Sequence, residues 1–372
     1  MAVQKTRNYG IDLFKIFAMF MVTVYHVIGH GGVLRGVEGK TFSYEAVTLL
    51  RILGCCAVNC FAMASGYVQV ESQHRYRRLV PLHLRVLFYS VTITAGAYIL
   101  SRGAVGEGAV IRAFFPASFR SYWYYTAYFG LFFLIPFMNE AMHRLDRKSL
   151  RRMVVTLLIL FTSVPYITRS PIFSLEDGYS LLWLCTMYLL GAYLRKIDGI
   201  SHISTKMAWA LLALSLVAAW ISRPIVAFAG IVFSGSPGQN TSWFAFSYLS
   251  PATVLRSVAL LILFAKIQIR KDALKKWVGL FSAGSFSVYL IHDHPLVRET
   301  FITGQFRTLG DGSAVGTLLG VIGIALCING VCYAVDALRG WLFRVTKISY
   351  LGEVVWEKAV HALYMKIHYR NP

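Results

Sequence analysis

IDLFKIFAMFMVTVYHVIG, Ile11 to Gly29, is nineteen residues of apolar sequence that carry a lysine near one end and a histidine near the other. A run of about 20 mostly apolar residues is long enough to cross the hydrocarbon core of a bilayer. Ionisable groups inside such a segment are costly and are usually kept for a task or a partner. Lys15 and His26 are eleven positions apart, and eleven helical steps of about 100° come to three turns plus roughly 20°. Both side chains therefore share one face of a helix, separated by about 16 Å along its axis.

The rest of the chain matches that first segment. Its 372 residues are 56% hydrophobic and only 15% charged, with a positive mean hydropathy of +0.57. Such a chain is too apolar to keep its surface in water and belongs in a bilayer as an all-α, polytopic helix bundle. The formal charge of +20 does not indicate nucleic acid, because no basic cluster occupies a soluble-looking domain of its own. Lysine and arginine gather instead between apolar runs, as expected of cytoplasmic loops.

By length and apolarity ten spans are expected, near residues 10–29, 46–70, 80–100, 121–137, 150–167, 179–194, 207–232, 243–265, 280–302 and 314–333. The seventh contains Arg223 and Pro224, and the proline can end it and leave VAFAGIVF as an outer hairpin. With ten spans both termini share a side, and that side holds 25 of the 37 Lys and Arg residues, which makes it cytoplasmic. Lys5 and Arg7 before an apolar run imitate a signal peptide. The run is long, lacks a small-x-small cleavage site and holds Lys15 and His26, so it reads as a retained first span. Residues 1–345 form the membrane domain. LGEVVWEKAVHALYMKIHY, within 346–372, has the apolar spacing of a helix lying on the inner leaflet. Cys55, Cys56, Cys60, Cys185, Cys327 and Cys332 form no CxxC pair and read as free thiols packed like small hydrophobes.

A basic residue, ten intervening residues and a histidine in the first span resembles the acyltransferase family 3 membrane proteins. Further elements follow in order: NCFAMASGYV ending in Ser65, Gly66 and Tyr67; the turn HRYRRLVP with Arg75, Arg77 and Arg78; the aromatic SYWYYTAYFGLFFLIPFMN; YLLGAYLRK; and FSVYLIHDHP with His292. The likeness covers nearly the whole chain, with Lys15 where members usually carry arginine, a change that keeps the charge and loses the guanidinium fork. The resemblance implies transfer of an acyl group, usually acetyl from acetyl-CoA, to carbohydrate or another acceptor of the bacterial envelope. The enzyme would then be a multi-pass protein of the bacterial inner membrane, with an acyl-CoA donor and an envelope glycan or lipid-linked sugar as acceptor.

The residue types suit that chemistry. Arg75, Arg77, Arg78 and Lys15 can meet the phosphates of CoA from the cytoplasmic side, while His26 can act as general base or accept the acyl group itself. The resemblance adds His292 as a second histidine of the catalytic cavity, with Asp293 and Arg298 as polar partners. Arg51, Arg256, Tyr67, Trp123 and Tyr124 are candidates for the acceptor. Plainer readings stand beside these: a buried histidine bonded to a carbonyl, arginines that anchor the inner face, and Trp123 and Tyr124 in an interfacial aromatic belt. Arg223 can simply pair with Glu45, and Ser65 reads as a packing residue rather than a nucleophile. His292 and His294 point about 200° apart if both lie in a helix, so no metal is expected from them. The rival to an enzyme is a secondary transporter or flippase with an anionic cargo. Against it, the sequence shows no paired halves with matching broken spans.

Overall fold

The computed structural model describes residues 7–39, 41–100, 105–165, 172–234 and 243–368, and every regular element among them is helical. The expected end of the fifth span at Ile167, Lys5 near the start and Arg370 of the tail lie outside the described residues. Helix α1 spans Tyr9–Gly29. It starts where it does because the Asn8 side chain caps it, accepting from the N–H groups of Gly10 and Ile11. Then come α2 (Phe42–Cys55), α3 (Ala57–Gln69), α4 (Leu79–Leu100), α5 (Trp123–Arg144), α6 (Arg147–Leu158) and α7 (Leu181–Lys196). The second half is α8 (Thr205–Ser234), α9 (Pro251–Ala265), α10 (Asp272–His292), α11 (Pro295–Phe301), α12 (Ala314–Val345) and α13 (Ile348–His368).

Among the described residues six helical segments are long and apolar enough to cross a membrane: Tyr9–Gly36, Phe42–Gln69, Tyr76–Leu100, Thr205–Ala229, Phe244–Ala265 and Ala314–Val345. They coincide with six of the ten expected spans. The other four expectations fall on α5, on α6 with its π-helical continuation Ile159–Ser163, on α7 and on α10. None of these four carries so long an apolar stretch.

Three boundaries differ from the sequence reading. Pro224 does not end the seventh span; α8 runs through it to Ser234. Membrane helices tolerate a proline where serine side chains and neighbours take up freed backbone groups. Here Arg223, next to the proline, is fastened to Glu45 of α2, which ties the helix to its neighbour. The expected eighth span is broken, with a short turn of helix at Trp243–Phe246 before α9 begins at Pro251. The ninth is shifted, running from Asp272 and stopping at His292. Pro295 has no N–H for a continuing helix and holds His294 extended, at φ −56° and ψ 130°. His292, Asp293 and His294 therefore stand at a helix end rather than inside a span, so the 200° argument against their sharing a site no longer applies.

α1 is the centre of the bundle, packed against α2, α3, α9, α10 and α12. It runs parallel to α10, since Asp12 meets Ser282 at one end and His26 meets His292 at the other. Gly284 of α10 lies beside Asp336, which brings the last part of α12 to the Asp12 end. All six cysteines are free, and all but Cys327 are buried.

The closest helix pair is α3 with α7. Gly66 faces the backbone of Tyr188 while Gly191 faces that of Met63, and a Cβ on either glycine would overlap the opposing carbonyl oxygen. Small residues allow this approach where lipid offers no hydrophobic drive between helices. Gly191→Val should force the pair apart and destabilise the protein by about 1–3 kcal/mol or more. It would be read as a lower melting temperature in detergent, and an unchanged melting curve would refute the packing argument.

Candidate active site

α1 and α10 bring two histidines from opposite ends of the chain into contact. Nδ1 of His26 is 3.1 Å from Nε2 of His292, and Nδ1 of His292 is 2.6 Å from the carbonyl oxygen of Val288, one turn earlier on α10. A carbonyl only accepts, so Nδ1 of His292 carries the proton and donates. With both rings neutral, the bare Nε2 of His292 accepts from Nδ1–H of His26. That tautomer leaves Nε2 of His26 with its lone pair, the form needed for a general base or a nucleophile.

Around this pair stands a charged ring. Asp293, the C-cap of α10, has Oδ1 3.7 Å from Nδ1 of His26 and 3.1 Å from the Arg298 guanidinium of α11. The α10 break at Pro295 is what turns Asp293 toward α1. His30, one turn beyond His26, packs edge-on against it with ring centroids 5.0 Å apart. It was not singled out in the sequence, although an i, i+4 histidine pair is a readable signal.

His26 also lines a narrow cavity of about 40 Å³ that is partly open to solvent. Its walls include Met19 and Val22 of α1, Phe61 of α3, Trp123 and Tyr124 of α5, and Tyr289 of α10. Lys15, Met19, Val22 and His26 fall at steps of four, three and four, a single helical stripe. The cavity thus follows the stripe downward from His26 for two turns and stops about 6 Å along the axis above Lys15. Tyr25 and Tyr248 complete an aromatic wall in which Trp123 and Tyr248 stack at 6.2 Å. Trp123 and Tyr124 therefore face an interior space rather than forming an interfacial belt.

The other candidates are distributed more widely. Lys15 lies 3.9 Å from Asp12, which also accepts from Arg7 (2.6 Å) and Ser282 (2.8 Å). Arg75, Arg77 and Arg78 are exposed in the turn before α4 and do not line the cavity. Tyr67 is buried beneath Arg195, which donates to its hydroxyl at 3.1 Å, and it too lies outside the cavity wall. Arg256 is fully buried and donates to the carbonyls of Ile52 and Ser215, which ties α9 to α2 and α8. Arg223 pairs with Glu45 at 2.8 Å, the plainer of the two readings for that residue.

Arg51 is different. Its guanidinium stacks between Phe246 (4.4 Å) and the cavity residue Tyr25 (5.3 Å); its Nε, like that of Arg256, is buried without a partner. Tyr25, Phe61, Tyr248 and Tyr289 were not selected in the sequence, where nothing separates an aromatic that lines a cavity from one that faces lipid.

One group among the described residues can hold a metal ion: ligand atoms of His26, His30 and Asp293 lie within 4.8 Å of one another. No metal was expected from the sequence. In this geometry Asp293 accepts from Arg298 and His26 Nδ1 faces His292, while His30 packs edge-on against His26.

No curated protein matches the chain, and no solved structure does. A family model described as an acyltransferase domain matches residues 8–336, a stretch that begins at the cap of α1 and closes at Asp336 of α12. Since it takes in both histidines and every wall of the cavity, the chain belongs to acyltransferase family 3.

Proposed function

We propose that this protein is a membrane O-acetyltransferase that takes an acetyl group from cytoplasmic acetyl-CoA and places it on a hydroxyl of an envelope glycan or lipid-linked sugar. The reading places it in the bacterial inner membrane with ten spans and both termini inside. Its main support is the His26–His292 pair, whose tautomer leaves a basic nitrogen on a residue that lines an aromatic cavity.

The donor enters from the Lys15 side. In the direct route, Nε2 of His26 removes the acceptor proton, the hydroxyl oxygen attacks the thioester carbonyl, the C–S bond breaks, and the proton passes to the departing CoA thiolate. In the two-step route Nε2 attacks the thioester carbonyl, the C–S bond breaks and CoA leaves as thiolate; the acceptor hydroxyl then attacks the acetyl-imidazolium carbonyl, the N–C bond breaks to restore neutral His26, and the hydroxyl proton passes to the CoA thiolate. Asp293 stands where it steadies positive charge on His26 in either case. The aromatic wall formed by Trp123, Tyr124 and Tyr248 suits stacking on a sugar ring, and Arg51 behind Tyr25 suits an anionic part of the acceptor.

The test is acetyl-CoA turnover by purified protein, joined to mass spectrometry of envelope glycans from cells with and without the gene. The expected result is CoA release and a two-carbon ester on one sugar. Substrate transport with no CoA turnover would support a transporter instead.

A further inference from the structure

His26 and His30 stand four residues apart, a spacing that puts two imidazoles on one face of a helix and suits shared ligation of a metal. The break of α10 before Pro295 brings a carboxylate to the same place. Oδ1 of Asp293 lies 3.7 Å from Nδ1 of His26, and ligand atoms of His26, His30 and Asp293 all fall within 4.8 Å of one another. On the other side of Nδ1, at 3.1 Å, is the bare Nε2 of His292. Ligands held at about 2.0–2.1 Å around a tetrahedral ion stand roughly 3.3 Å apart. The two separations at Nδ1 of His26 bracket that edge length. His30 has further to move, and its exposure leaves room for it.

We propose that His26, His30, His292 and Asp293 form a binding site for Zn²⁺ or a chemically similar divalent ion. Three imidazoles and one carboxylate are a donor set that suits zinc and does not suit Mg²⁺ or Ca²⁺, which take oxygen ligands. His292 is already oriented as metal-ligating histidines usually are, with Nδ1–H fixed on a backbone carbonyl, that of Val288. The ion takes the place of the proton between Nδ1 of His26 and Nε2 of His292. That proton moves to Nε2 of His26, so the ring stays neutral and loses the lone pair on which both acetyl-transfer routes depend. The metal is thus an inhibitor and not a cofactor. This consequence rests on the function proposed above; the binding does not.

Arg298 opposes the ion. Its guanidinium donates to Oδ1 of Asp293 at 3.1 Å and also lies 3.5 Å from Glu299. A bound cation has to displace it from Asp293 and meets its positive charge at close range. Removing that charge therefore strengthens metal binding, the opposite of what loss of structure would do.

The experiment is calorimetric titration of the full-length protein in detergent, free of any histidine tag, with zinc chloride. Titration with Co²⁺ adds the visible absorption of a four-coordinate nitrogen and oxygen site. The expected result is one ion per chain, not displaced by excess Mg²⁺. His30→Ala should weaken zinc binding by about 100-fold or more, while Arg298→Gln should tighten it about ten-fold. A gain of affinity cannot come from a protein that fails to fold. No saturable binding below about 1 mM, an undiminished affinity in His30→Ala, or displacement by Mg²⁺ would overturn the proposal. So would binding that disappears in Cys327→Ser, since Cys327 is the exposed thiol. Acetyl transfer is measured separately. Zinc that binds as described without slowing transfer would sink the role given to His26 and leave the metal site standing, whereas transfer that needs His26 in a protein that takes up no zinc would do the reverse.

Discussion

His26→Ala should lower acetyl transfer by about 10²- to 10⁴-fold, the usual contribution of a positioned general base, with little change in the apparent affinity for acetyl-CoA. The loss falls on kcat because the imidazole acts on the reacting atoms, while the donor is held by other groups. His26 is largely buried on α1, its side chain 16% exposed, and it bonds to His292 alone among protein groups at hydrogen-bond distance. The variant should therefore fold, and a thermal melt near that of the wild type would establish that it does. Trapping with labelled acetyl-CoA separates the two routes: label recovered on His26 means the two-step route. A variant that transfers acetyl at the wild-type rate would remove His26 from the chemistry altogether.

The second large effect is expected at His292, which on the proposed mechanism acts through His26 rather than on substrate. Its Nε2 accepts from Nδ1–H of His26 and so fixes which nitrogen is basic. Loss of tautomer control costs a catalytic histidine several orders of magnitude in the best-studied case, and His292→Ala should lower kcat by about 10²-fold or more. His292→Gln is the diagnostic variant. Its amide oxygen can accept at nearly the position of the lost Nε2, so it should recover much of the rate, whereas a purely structural role would leave both variants equally impaired. KM for acetyl-CoA should stay near the wild-type value in each.

How much of this was readable beforehand differs from element to element. α1 was legible almost to the residue, because apolar length alone places a span at 10–29 where the helix runs Tyr9–Gly29. The shared face of Lys15 and His26 followed from periodicity alone, and the structure extends it into a stripe that includes Met19 and Val22. α10 was misplaced by several residues at each end, since its first turn carries Asp272, Lys275 and Lys276 and reads as loop, while its end is set by the break before Pro295. Pro295 was present in the sequence, but whether a proline breaks a membrane helix depends on its surroundings. Pro224 is carried inside α8 and Pro295 begins α11.

The aromatic residues show a different limit. Trp123 and Tyr124 have the composition of an interfacial belt and also of a cavity wall, Tyr248 gave no signal of its own, and Tyr289 stands in the quoted FSVYLIHDHP element without being chosen as a site residue. Arg256 and Arg51, alike as charges near predicted spans, part company in the fold. One donates to two backbone carbonyls and the other stacks between two aromatics behind the cavity, and each keeps a buried Nε without a partner.

By itself the sequence determined that the chain is a bundle of apolar helices, that Lys15 and His26 lie on one helical face, and that the family is that of the acyltransferases. These are local or order-of-motif properties, fixed by hydrophobic length, by a period of about 3.6 residues per turn and by the succession of short elements. Only the tertiary structure decided which nitrogen of His26 is basic, which aromatics enclose it, and what Arg77 meets. Each of those depends on a partner far away in the chain, 266 positions in the case of His292 and 280 for Glu357. Helical periodicity dictates which way a side chain faces, and packing dictates what it finds there.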